Sequence, residues 1–332
     1  MKKTLITFMF TFLCCVFLFL LLFNSKECIV LASNGLLIWY KNMIPTLFPF
    51  MVLSGFLVRT KISYSLGAFL RPILGILLPL PSHMLYVVFM GFLCGFPMGA
   101  KIVADMIEKK QISTKEGQYL LSFCNNIGPL YMMGYVIPLF QYENKWLILG
   151  LMYSVPLIFG VILKFIYFPN SNAKSLKLVA QSNPNSLPMQ NTYNSKSNYP
   201  ACFQDSLTSA IEQITVLGGC MVFFNTLQII PMKLISHIPS LPSFCQSSYV
   251  QGILCSLVEI GGGLQQLVSI TPYETALQIS PYLILSLLTF GGLSCTIQTF
   301  FIIKNTELNL YTYLKHKTTQ SCIYILLFFL LN

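Results

Sequence analysis

Charge is what this sequence lacks. Of its 332 residues only 9% are Asp, Glu, Lys or Arg, and just 10 are acidic, where a soluble domain carries about 25% charged residues. A chain so poor in charge has no ordinary water-facing surface, which excludes a soluble globular domain. Histidine is almost as scarce: His83, His237 and His316 stand far from one another and from any cysteine cluster. No serine or cysteine has a histidine partner in view, no HExxH pair occurs, and no glycine-rich loop leads into GK followed by Ser or Thr. Triad chemistry, zinc hydrolysis and an ATP-driven pump within this chain are thereby excluded; we expect no enzyme, no metal and no cofactor. The 11 cysteines contain no CxxC pair and mostly lie in apolar runs. They read as buried reduced thiols serving as small apolar residues.

What is present is hydrophobicity. Apolar residues make up 55% of the chain and the mean hydropathy is +0.69, the composition of an integral membrane protein. Residues 4–23 are an apolar run behind Lys2 and Lys3, long enough for a hydrocarbon core of ~30 Å and longer than the apolar region of about 7–15 residues in a signal peptide. We expect a retained, N-inside anchor over 1–34. Spanning segments are expected at 35–58, 120–140, 146–168, 209–235 and 279–303, with a short final one at 319–331. The stretch 66–81 carries Arg71 at its centre. It is placed at the interface, because a mid-membrane arginine costs at least ~2.5 kcal/mol. Residues 169–205 are rich in Asn, Ser and Pro with almost no acid, and read as a flexible cytoplasmic linker. It divides the membrane region into 35–168 and 206–332. The net charge of +10 lies in short loops rather than on one face, which is a positive-inside pattern and not a nucleic-acid surface.

The two halves share a pattern. GFLC (91–94) matches GILC (252–255), and LLSF (120–123) matches LLTF (287–290), at nearly the same offset. Each motif runs into a break: GFPMG (95–99), NNIGP (125–129), EIGGG (259–263) and GGLSC (291–295). Glycine and proline weaken helices, and in lipid the freed backbone groups must be satisfied by protein or by a water-lined cavity. Reading 84–100 and 249–268 as re-entrant hairpins places Lys2, Lys3, Arg59, Lys61, Lys101, Lys109, Lys110, Lys115, Lys174, Lys177, Lys304, Lys315 and Lys317 on one side. Three crossings separate the repeat starts, so the second half is expected to be inverted relative to the first. The fold expected is all-α and polytopic, with two inverted repeats, each carrying a re-entrant hairpin and a broken spanning helix.

Paired broken segments mark the midplane site of a secondary transporter. Half-helix N-termini there suit an anionic or oxygen-rich ligand. Asn125 and Asn126 sit beside one break, and Ser294 and Gln298 follow another. Glu259 is an acid within an apolar hairpin, a binding or proton-carrying group by default. Lys101 is read as the point where the first hairpin returns, and Lys101 and Asp105 as solvated interface charges.

GFLCGFPMGAKIVADM, LLSFCNNIGPLYMMGYV, GILCSLVEIGGG and LTFGGLSCTIQ together resemble the YlbJ-type sporulation integral membrane proteins. These belong to the nucleoside-recognition Gate domain group, related in architecture to concentrative nucleoside transporters. The resemblance covers roughly residues 35 to 320. It implies movement of dipicolinic acid across the outer forespore membrane of a sporulating bacterium. It also implies site positions at Gly95, Pro97 and Gly99; at Asn125, Asn126, Gly128 and Pro129; at Glu259 and Gly261; and at Gly291, Gly292 and Gln298. The partners expected are a small anion and the lipid bilayer, with no nucleic acid; a homo-oligomer is compatible with this. A nucleoside or nucleobase carrier, and a non-transporting scaffold acting through 169–205, are the competing readings.

Overall fold

The computed structural model describes residues 2–60, 62–168, 199–237, 248–270 and 279–331. Among them the secondary structure is helical throughout. Helix α1 (Lys2–Phe23) is followed after one residue by α2, Ser25–Arg59, which holds a π-helical turn at Trp39–Met43. The boundary expected at residue 34 therefore falls inside α2. The reason is packing: Gly35 lies against the Met221 carbonyl and Asn225, so the helix is held beside that point. Next come α3 (Ile62–Leu77), α4 (Ser82–Cys94), α5 (Met98–Glu108) and α6 (Thr114–Cys124). Helix α7 covers 129–140 with a π turn at Met132–Val136, and α8 is Lys145–Tyr167. The remainder is α9 (Tyr199–Leu227), α10 (Ile229–His237), α11 (Ser248–Val258), α12 (Ile260–Ile270), α13 (Pro281–Phe290), α14 (Gly292–Ile303) and α15 (Leu310–Leu331).

Among the described residues four helical stretches are long and apolar enough to cross a membrane: Ser25–Arg59, Lys145–Tyr167, Tyr199–Ile235 and Pro281–Ile303. Helices α3 and α4 form a further apolar pair bent by 83°. Phe8, Leu22, Phe69, Ile76, Phe165 and Leu330 are each at least 70% exposed, which in this setting is contact area for acyl chains rather than for water.

Of the expected linker, 169–198 lie outside the described residues. Residues 199–205 are not linker: they are the first turns of α9. They are anchored by Tyr199 and Phe203, whose rings lie 6.3 Å from that of Phe56 on α2. Further along the α2–α9 seam the indole Nε1 of Trp39 donates to the Ile214 carbonyl at 2.8 Å, and the ring covers Gly218. Small residues at such a seam let two membrane helices approach closely.

The element order repeats. A long helix (α2), a turned pair (α4, α5), a span broken at 125–128 (α6, α7) and a closing helix (α8) come first. Then α9, the pair α11 and α12, the span broken at Gly291 (α13, α14) and α15 follow in the same sequence. The core they enclose includes Tyr86, Tyr119, Phe123, Tyr313 and Tyr324, all less than 2% exposed.

Candidate functional site

The breaks come together. Gly91 and Gly99, one on each limb of the α4–α5 turn, both lie against the carbonyl of Cys124, the last residue of α6. A side chain at either position overlaps that backbone, so the limbs straddle the end of α6 only because both are glycine. Gly95, at φ +85°, takes a conformation that residues with a Cβ avoid, and its neighbour Cys94 meets Gly128 across the gap. Pro97 precedes the first turn of α5. In the second half Gly292 lies against the backbone of Ser256 and Leu257, near the α11–α12 break. The two halves touch where Gly291 packs on the Phe96 ring, and where the Tyr135 hydroxyl donates to the Gly261 carbonyl at 2.8 Å.

Breaking α6 frees carbonyl groups, which are expensive unpaired in lipid. Each has a partner. Asn126 Nδ2 donates to Phe123 O at 2.6 Å, Gln320 Nε2 to Ser122 O at 2.8 Å, and the Tyr153 hydroxyl to Ile127 O at 2.9 Å. Asn125 is fully buried and acts as a bracket: its Oδ1 accepts from Ala100 N in the first turn of α5 at 3.2 Å. Its Nδ2 reaches Thr299 Oγ1 at 3.2 Å and Tyr313 Oη at 3.0 Å. Asn125 and Asn126 thus hold the breaks together from inside the protein wall. Pro129 opens α7 with Gly128 as its N-cap.

Glu259 is 3% exposed and lies between α11 and α12. It is neither water-facing nor free: its carboxylate accepts from Gly261 N (3.0 Å), Gly262 N (2.6 Å) and Asn225 Nδ2 (3.0 Å). It caps the N-terminus of α12, where the orphan N–H groups and the helix dipole favour an anion. Gln298 Nε2 donates to Ser294 Oγ on its own helix at 2.9 Å.

Against this junction lies a pocket of about 590 Å³, its open mouth included. Gly128, Glu259 and Gln298 line it among the residues expected from the sequence. Gly95, Pro97, Gly99, Asn125, Asn126, Pro129, Gly261, Gly291, Gly292 and Ser294 do not; they build its frame. Most of the remaining wall is apolar, with Leu47, Leu93, Phe96, Ile127, Leu217 and Met221. Tyr131 also lines it, and its hydroxyl, on a residue 7% exposed, has no hydrogen-bond partner. A buried unpaired hydroxyl costs about 1–3 kcal/mol, a cost that a bound ligand with an acceptor removes. Helices α7 and α14, whose first turns reach this pocket, have no side-chain cap.

Three groups differ from the sequence reading. Lys101 lies one turn into α5, which continues to Glu108. Asp105 is 7% exposed and pairs with Lys101 Nζ at 2.6 Å. Together with Arg59, Ser206 and Gln213 they line a second, polar recess rather than facing bulk water. In the following turn, burial and then the Arg59 guanidinium hold Lys109 below the ordinary lysine value, against Asp105. Lys317, grouped above with the loop charges, stands inside α15 with 0% exposure. Tyr313, Lys317, Gln320 and Tyr324 fall at helical spacing and are all buried, a face hidden in the sequence by the neighbouring exposed Lys315 and Thr318. Asn225 and Gln228, the latter donating to Glu259 O at 3.1 Å, were likewise absent from the sequence-derived site.

Fold and junction define a polytopic all-α membrane protein whose helix breaks surround one pocket. A stretch of 120 residues, 36% of the chain, is 32% identical to the sporulation integral membrane protein YlbJ of Bacillus subtilis (strain 168), and spans 29% of that protein. The match thus covers under a third of the relative's length. No protein-family model matches the chain, and no solved structure matches it.

Proposed function

We propose that the protein is a multi-pass carrier of a small anionic metabolite, dipicolinate, acting in the outer forespore membrane during sporulation, and that it converts nothing chemically. The observation that carries the reading is the convergence of the breaks on one largely apolar pocket holding an unpartnered Tyr131 hydroxyl. Discontinuous helices meeting at a pocket are how secondary transporters build a midplane site, and we take the repeated element order as two inverted repeats on the same grounds. The similarity to a protein named for sporulation supports the setting; dipicolinate comes from the motif resemblance. The test is uptake of labelled dipicolinate by the full chain in liposomes, with loading of spores that carry Tyr131→Phe. Uptake above empty liposomes is expected; none under any ion gradient, with normally filled spores in a null strain, ends the proposal.

One observation favours a second reading, a nucleoside or nucleobase carrier. The pocket wall presents an amide (Gln298), an acid (Glu259) and apolar surface, but no cation, which suits the edge and face of a neutral base. Thermal-shift measurements separate the two: stabilisation by uridine or adenosine but not by dipicolinate selects the second.

A further inference from the structure

An anion carrier gains from a positive charge at its site, and the pocket wall has none. The nearest is one aromatic ring away. Lys317 Nζ lies 5.2 Å from the centroid of the Phe96 ring, and Phe96 itself lines the pocket. The ammonium is wholly buried, and its hydrogen bond is to Asn126 Oδ1 at 2.6 Å. Among the described residues no carboxylate pairs with it; the acids of the ion pairs, Asp105 and Glu27, are taken by Lys101 and Lys233. A lysine has three protons to donate, and a buried charge without a counter-charge is costly and does not earn its place through stability. Ionisable residues inside membrane bundles mark the path of a substrate or an ion.

We propose that Lys317 is the fixed cation of the transport site, covered by Phe96 in this state and paired with the carboxylate of an anionic cargo when the ring turns aside. The inference rests on the carrier reading above and names its counter-charge. Position supports it: the Phe96 ring lies against Gly291 on the far side of the junction, so a shift of the second-half break changes the room that the ring has. Asn126, which holds the ammonium, belongs to the first-half break. Lys317 is therefore tied to both breaks through neighbours that themselves define the pocket.

The test uses the full chain in nanodiscs and measures equilibrium binding of dipicolinate and of its uncharged diamide. Wild-type protein is expected to prefer the dianion. Lys317→Met is expected to weaken dipicolinate binding roughly ten- to hundredfold and leave the diamide unchanged. Lys317→Gln, which keeps a donor for Asn126, gives a second neutral variant should the methionine fail to assemble, and Lys317→Arg should restore the preference. Lys317→Met or Lys317→Gln binding dipicolinate as wild type overturns the role of Lys317 alone. Equal loss of both ligands with a lowered melting temperature overturns it too, in favour of a structural prop. Wild-type protein that binds neither dipicolinate nor any carboxylate of similar size overturns the carrier reading, and this inference with it.

Discussion

Glu259 shows how a single acid in an apolar run is read differently with and without its surroundings. Its position singles it out, since a lone carboxylate there is costly without partners, yet only the structure shows three donors already closed around it. Its first task is to cap α12. Glu259→Ala should therefore destabilise the protein by about 1.5–3 kcal/mol, the range for hydrogen bonds to a charged group, seen as a lower melting temperature in detergent. Glu259→Gln keeps one acceptor oxygen but turns its –NH2 toward a remaining donor, so it should lose less than Glu259→Ala without matching wild type. Tyr131 is the opposite case. Its hydroxyl is buried with no partner, so Tyr131→Phe should raise stability by about 1–3 kcal/mol, seen as a higher melting temperature, while weakening ligand binding several-fold in the same preparation. Nothing in the sequence separates Tyr131 from the other 16 tyrosines; what distinguishes it is a missing partner on a residue of the pocket wall, a property of packing.

At the scale of elements, the breaks were legible because glycine and proline punctuate helices for reasons independent of context. The turns at 95–97, 125–128, 259 and 291 all lie at or beside a break read from the sequence. The limbs were less legible: Lys101 and Asp105 looked like the end of a hairpin, because an i, i+4 pair half-buried against Arg59 and Ser206 has the same sequence as one in water. Helix α15 was legible only in its apolar C-terminal part. Its polar N-terminal part follows loop lysines, and a charge count cannot tell a buried Lys317 from an exposed Lys315. The clearest prediction here concerns the clasp on α6. Gly91→Leu or Gly99→Leu places a side chain where the Cys124 carbonyl stands, and should abolish the monodisperse peak in detergent size-exclusion chromatography. Gly150→Ala, at a helical position with nothing within 4 Å of an added Cβ, should leave that peak intact and slightly raise the melting temperature, by up to about 1 kcal/mol of helix propensity.

For the whole molecule, the seam between α2 and α9 joins the long helices that begin the two halves. Trp39→Phe removes the bond to Ile214 O and should cost about 1 kcal/mol; a drop in melting temperature with unchanged ligand affinity is the expected result. Replacing 169–198 by a Gly/Ser stretch of equal length should leave spore loading unchanged if the protein is a carrier; loss of loading at normal membrane levels selects the scaffold reading. The overall class was legible from composition alone, since the chain has too little charge for water. The relation between its halves was legible only as an order of motifs, because how two segments face each other depends on contacts nearly two hundred residues apart.

Those distant contacts set a timetable for synthesis. Asn125 and Asn126 leave the ribosome early, but Tyr313, Lys317 and Gln320, which meet them and Ser122 O, come about 190 residues later. At about 5–20 residues per second, the broken helix waits on the order of ten seconds or more before its partners exist. During that interval its polar core must be sheltered by the insertion machinery or by lipid headgroups. Slowing translation between the two regions should therefore make the nascent chain a better substrate for membrane proteases than slowing it after α15 has emerged.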